Sequence, residues 1–241
     1  MEDFFQQIWN LIVTFADPRN LKNPEVYIDA LKQPGVMWAA FVSVNLIIFT
    51  ETGLLIGFLL PGDSLLVVTG IVARSADWPV IPLTLSLCAA AIIGDTIGYA
   101  IGAKAGPAIF NRPESRFFRR DHLLAAKSYY EKHGGKTIII ARFIPLIRTF
   151  VPVVAGAAKM EYRSFLAFNI FGGIGWIVSM IAVGYMLDPI LRQIFGPDFQ
   201  IAKHIDKIVL VVIFLSILPL LTKGYRHWRS TRAAKASSSS S

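Results

Sequence analysis

Residues 137–158 read TIIIARFIPLIRTFVPVVAGAA. The run is apolar enough to enter a bilayer. Yet it holds two arginines, Arg142 and Arg148, with Pro145 between them. Arginine keeps its charge at any physiological pH, and proline breaks a helix interior. Irregular backbone at membrane depth survives only where protein buries it or where it lines an aqueous cavity. The segment is therefore expected to be broken. Pro145 would end a half-helix near the midplane, and the arginines would flank the break.

The surrounding chain is that of a membrane protein. Of 241 residues, 54% are hydrophobic and 17% charged, against about 25% charged in soluble proteins. Mean hydropathy is +0.53. Four stretches read as spans: 36–49, 79–103, 164–187 and 205–222. The second would reach roughly 37 Å as a helix, enough to cross with some tilt. The first runs into another broken piece, TGLLIGFLLPGDSLLVVTGIVA (52–73), which holds Pro61, Gly62 and Asp63 just after Glu51. Residues 36–73 are too long for one straight span. Residues 1–35 carry Phe4, Phe5, Ile8, Trp9, Ile12 and Phe15 at amphipathic spacing, which fits an interfacial segment. Residues 36–222 form the membrane domain. Residues 223–241 are a basic tail whose serine-rich end reads as disordered or tag-like. Glu2, Asp3 and Asp17 stand where a cleavable signal peptide would be basic, so none is expected. A lone Cys88 excludes an internal disulfide.

Lysine and arginine set the orientation. Residues 104–136 and the tail are both strongly basic and should be cytoplasmic, while 74–78 and 188–204 are short and balanced and should face outward. Only 164–187 then crosses between 104–136 and 188–204. Residues 137–158 must enter from the cytoplasm and return to it. The same parity makes about 51–73 enter from outside and return there. The expected fold is an all-α polytopic membrane protein, with two re-entrant helical hairpins dipping from opposite faces and about four transmembrane helices. Such an inverted-topology repeat is an architecture that many transporters share. A loose echo between FLLPGDSLLVVTG and FIPLIRTFVPVVAG points the same way.

The broken pieces carry the intramembrane charge. Glu51 and Asp63 lie in the outer one, Arg142 and Arg148 in the inner one, and Asp95 in the middle of a span. Ionisable groups at such depth are functional candidates. Guanidinium suits bidentate capture of phosphate, and a carboxylate in a low-dielectric cavity can take up and release protons. The set fits proton-coupled movement of an anionic or phosphate-bearing substrate. Arg142 and Arg148 would bind phosphate, and Glu51 and Asp63 would couple protons. Asp95, Pro61, Gly62 and Pro145 would support them. A purely structural pairing of the four charges is the competing reading.

The remaining features are bland. His122, His133, His204 and His227 show no metal spacing, and no nucleophile elbow, P-loop or zinc motif appears. No enzyme activity, metal or cofactor is expected. The amphipathic stretch 117–136 fits a helix resting on anionic headgroups, so the basic patches favour lipid over nucleic acid. GGIGW (172–176) suggests close helix packing and not chemistry. A homo-oligomer is compatible with the sequence, which sets no stoichiometry.

ETGLLIGFLLPGDSLL, GDTIGYAIG, YEKHGGKTIIIARFIPLIRTFVPVVAG and MEYRSF closely resemble the bacterial DedA family, within the VTT or SNARE-associated superfamily. The resemblance covers roughly residues 35–222 and is nearest to the branch of DedA itself. It implies a multi-pass inner-membrane protein with cytoplasmic termini and two re-entrant hairpins. It also implies transport of lipid, namely undecaprenyl phosphate for recycling or, in some members, phosphatidylethanolamine, with a link to the proton motive force. The family's essential acids correspond by motif to Glu51 and Asp63, and its essential arginines to Arg142 and Arg148. The alternatives are a proton-coupled antiporter for small cations or drugs, a phosphatidylethanolamine flippase or scramblase, and a non-enzymatic scaffold.

Overall fold

The computed structural model describes residues 29–54, 62–111, 138–139, 142, 145–196, 199, 201 and 211, with the side chains of 107–111 and 145–147 excepted. The interfacial segment up to residue 28, most of the basic segment 104–136, the span 205–222 except for residue 211, the tail and Pro61 lie outside the described residues.

Among the described residues the principal helices are, in chain order, α1 (Pro34–Gly53), α2 (Gly62–Ser75), α3 (Val80–Asn111), α4 (Pro145–Ala157) and α5 (Tyr162–Phe195). Among the described residues there is no strand. α1, Val80–Gly106 within α3, and α5 are long and apolar enough to span a membrane. Pro34 opens α1 at a position where its missing N–H costs nothing. Glu51 therefore rides on the last turn of a spanning helix, one turn before the chain leaves it at Leu54. α3 and α5 outrun the apolar stretches that announce them. Both are longer than a hydrocarbon core of about 30 Å requires.

The short helices α2 and α4 close in the same way. After α2, Asp77 adopts a left-handed φ of 55° and the Trp78 N–H bonds back to the Ala73 carbonyl at 2.9 Å. After α4, Lys159 takes a φ of 57° and the Met160 N–H reaches the Ala155 carbonyl at 3.0 Å. Each is a Schellman-type stop, and a long helix starts three residues past the left-handed position.

Each short helix packs mainly on the long helix that does not directly follow it. α2 lies on α5, and α4 lies on α3. Both crossings are glycine contacts. A methyl on Gly70 would strike the Ile181 carbonyl, and one on Gly184 would strike the Val67 carbonyl. A methyl on Gly156 would strike the Tyr99 carbonyl, and one on Gly102 the Val153 carbonyl. The same interval separates Asp77 from Lys159, Val80 from Tyr162 and Gly102 from Gly184. Close backbone approach of this kind is how helices associate where lipid supplies no hydrophobic drive. Gly102→Val and Gly184→Val should each cost about 1–3 kcal/mol or more. That would lower Tm by roughly 5–10 °C. Gly175→Ala, where an added methyl meets nothing within 4 Å, should leave Tm unchanged. Thermal unfolding of the purified protein checks all three.

The polarity of the molecule is inverted relative to a soluble bundle. Val42, Leu46, Ile81 and Phe171 are exposed, whereas Glu51, Asp95, Arg142, Arg148 and Asn169 are buried. An apolar core of Ile48, Leu66, Leu83, Leu87, Trp176 and Ile177 joins α1, α2, α3 and α5. It packs directly beside the buried charges.

Candidate functional site

Two arginines leave two separate polar centres inside this bundle. Arg148, on the first turns of α4, places one guanidinium nitrogen on Glu51 from α1 and the other on Asp63 from α2. Its guanidinium lies 4.3 Å from the centroid of the Trp176 ring on α5. The Trp176 indole N–H donates to the same Asp63 oxygen at 2.8 Å. Four helices thus meet at one cation. The Glu51 carboxylate lies against Gly62, where any Cβ would overlap it. That contact explains why glycine precedes Asp63 at the start of α2.

The second centre is built on Arg142, which precedes α4. Its guanidinium pairs with Asp95 in the middle of α3 and also donates to the Asn169 side-chain carbonyl on α5. Asn169 is held by its own amide, which donates to the Ile92 carbonyl at 3.1 Å. Gly172 and Gly173 make room for the Arg142 side chain, since a methyl on Gly172 would come within 2.9 Å of it. Asp95 is 3% exposed and Arg142 5%. In the first centre, the Asp63 side chain is 25% exposed but Glu51 only 1%. Asp63 is therefore the most exposed member of the Arg148 centre.

Sequence reasoning selected all five charged members of the two centres and did not assign their pairing. Arg148 takes both Glu51 and Asp63, and Arg142 takes Asp95, which was expected only to support. Pro145 also needs correction. It opens α4 and does not close the arm before it, because the first turn of a helix tolerates a residue without an N–H. Trp176 and Asn169 were missed. The glycines of GGIGW do pack closely, as expected, but the tryptophan after them is a partner of both Arg148 and Asp63. An amide and an aromatic ring about two helical turns apart, on a helix facing intramembrane arginines, were the available signal.

The VTT domain model matches residues 60–186, more than half of the chain. That stretch contains every member of both centres except Glu51. Protein DedA of Escherichia coli K12 is 42% identical over 193 residues, covering 79% of this chain and 84% of its own. The chain belongs to the DedA family. An uncharacterized membrane protein of Mycobacterium leprae is 39% identical over 91% of this chain and 92% of its own. The inner membrane protein YqjA of Escherichia coli K12 is 30% identical over 80% of this chain and 84% of its own. The last two names state a membrane location, and none of the three names a catalytic activity. No solved structure matches significantly.

Proposed function

We propose that this DedA-family protein moves undecaprenyl phosphate, a polyprenyl phosphate carrier lipid, from the outer to the inner leaflet of the bacterial cytoplasmic membrane, coupled to protons. The observation that carries the reading is the Arg148 centre, where one buried guanidinium fork is shared by two carboxylates. Carboxylate and phosphate are interchangeable partners for that fork. A proton arriving through Asp63 would weaken the carboxylate's hold, and a phosphate oxygen would take its place. Each guanidinium also keeps a buried N–H, Nε, with no hydrogen-bond partner among the described residues. Three carboxylates face two guanidiniums, an imbalance that a single proton corrects.

The crossed packing supports an inverted-topology repeat, with α2 and α4 as arms of two re-entrant hairpins. Each arm would enter from its own face and lean on the long helix of the other unit. Both termini would then be cytoplasmic, and anionic lipids would contact the basic segments. In this frame the Arg148 centre sits where the arms meet near the midplane, as in other transporters of this architecture.

The test is reconstitution in liposomes containing undecaprenyl phosphate, with leaflet exchange followed with and without a pH gradient. Exchange that the gradient drives supports the reading. A folded, inserted protein that exchanges no undecaprenyl phosphate overturns it. Proton-coupled flux of a small cation instead, retained when both arginines are replaced, would establish the antiporter.

A further inference from the structure

We infer that Asp95 is a second proton-coupling carboxylate, serving Arg142 as Glu51 and Asp63 serve Arg148, so that phosphate capture by both guanidiniums takes up a proton at each of two separate centres. The inference rests on the phosphate-transport reading above.

The two centres have the same parts. Each has a buried guanidinium, at least one carboxylate partner, and one neutral group that holds the guanidinium in place. For Arg148 the neutral holder is the Trp176 ring face. For Arg142 it is the Asn169 carbonyl, whose direction is set by the bond from its amide to Ile92. A structural staple needs only opposite charges. A neutral holder matters when the carboxylate lets go, because it keeps the guanidinium aimed while its other donors change partner.

Charge then decides what must accompany the phosphate. Asp95 and Arg142 are both at least 95% buried. If phosphate displaced Asp95 from Arg142 with no proton, a bare carboxylate would remain buried beside a bound anion, at prohibitive cost. Uptake of one proton by Asp95 removes that charge. Among the described residues, the charged and titratable groups around the pair are Arg148 on α4 and Cys88 on α3. Beyond them, Glu51 on α1 and Asp63 on α2 are committed to Arg148. α5 offers only the neutral Asn169. Within reach of Arg142, Asp95 is thus the carboxylate able to take that proton. The cycle balances when two protons and one phosphate enter together and leave together.

The experiment uses the full-length protein in phosphatidylcholine nanodiscs, with farnesyl phosphate as a short-tailed probe. Calorimetry in two buffers of different ionisation enthalpy counts protons taken up per phosphate bound. The Kd is followed from pH 7 to 9. Wild type should take up two protons, and its Kd should weaken about a hundred-fold per pH unit, tenfold for each proton. Asp95→Asn should take up one, with about a tenfold change per unit. Equal proton counts in wild type and Asp95→Asn overturn the inference and leave the transport reading standing. No binding by wild type sinks both. If Asp95→Asn fails to fold, Asp95→Glu decides by difference infrared spectroscopy. Adding probe should produce protonated-carboxyl bands, one of which shifts in Asp95→Glu. Bands identical to wild type overturn the inference.

Discussion

If the protein moves undecaprenyl phosphate, its leaflet exchange should fall to the protein-free background in Arg148→Ala, a loss of at least about a hundred-fold, while the protein still inserts. The substitution removes the shared partner of Glu51 and Asp63. It also removes the cation that would receive the phosphate. Breaking one side of a buried charge pair costs about 3–5 kcal/mol, so lost stability could imitate lost function. The control is a charge-neutral replacement of the whole centre, Glu51→Gln with Asp63→Asn and Arg148→Met. Exchanging a buried ionic cluster for neutral groups of similar volume is often close to neutral for stability. The triple variant should therefore keep a Tm near wild type and exchange no lipid. A scaffold whose charges are structural predicts the opposite pattern. Its single variant would aggregate, and its triple variant would retain full biological activity. Tm and exchange measured on the same preparations separate the two.

The difference between what could and could not be read in advance follows from range. Spans, breaks and the basic flanks are local in sequence, because a bilayer rewards apolar runs and penalises charge residue by residue. Glu51, Asp63, Asp95, Arg142 and Arg148 stood out for that reason. Which acid meets which base is not local. Arg148 reaches Glu51 across 97 positions of chain, and the pairing depends on the crossing of α4 with α3 and of α2 with α5. The glycines at those crossings were visible, and so was the echo between the Gly70 and Gly156 segments. Their partners, Gly184 and Gly102, emerge only when the helices are laid together. Pro145 was misassigned because a proline between two apolar runs is equally a stop and a start. Trp176 was set aside because tryptophan in a glycine-rich span has an adequate packing explanation. Its polar edge acquires a role only once Asp63 is placed beside it.

Trp176 gives the second large effect. Its ring and its N–H touch different members of the same ion pair, so two substitutions can remove them one at a time. Trp176→Phe keeps an aromatic face under Arg148 but loses the donor to Asp63. A hydrogen bond to a charged group contributes about 1.5–3 kcal/mol. Without it Asp63 keeps only its contact with Arg148 and is held less firmly in the centre. Exchange at its optimum should drop by about tenfold or less. Trp176→Leu also removes the cation–π contact, which contributes about 2 kcal/mol when desolvated, and leaves a cavity that costs a few kcal/mol more. With Arg148 no longer aimed, exchange should fall by about a hundred-fold at every pH. Exchange and Tm measured on the same preparations distinguish these cases. If both variants lose exchange only in proportion to lost Tm, Trp176 only fills space. A modest loss in Trp176→Phe, against a collapse in Trp176→Leu, assigns the indole N–H to Asp63 and the ring face to Arg148. The same ring would then steady the guanidinium during the moment when it has released its carboxylates and not yet closed on phosphate.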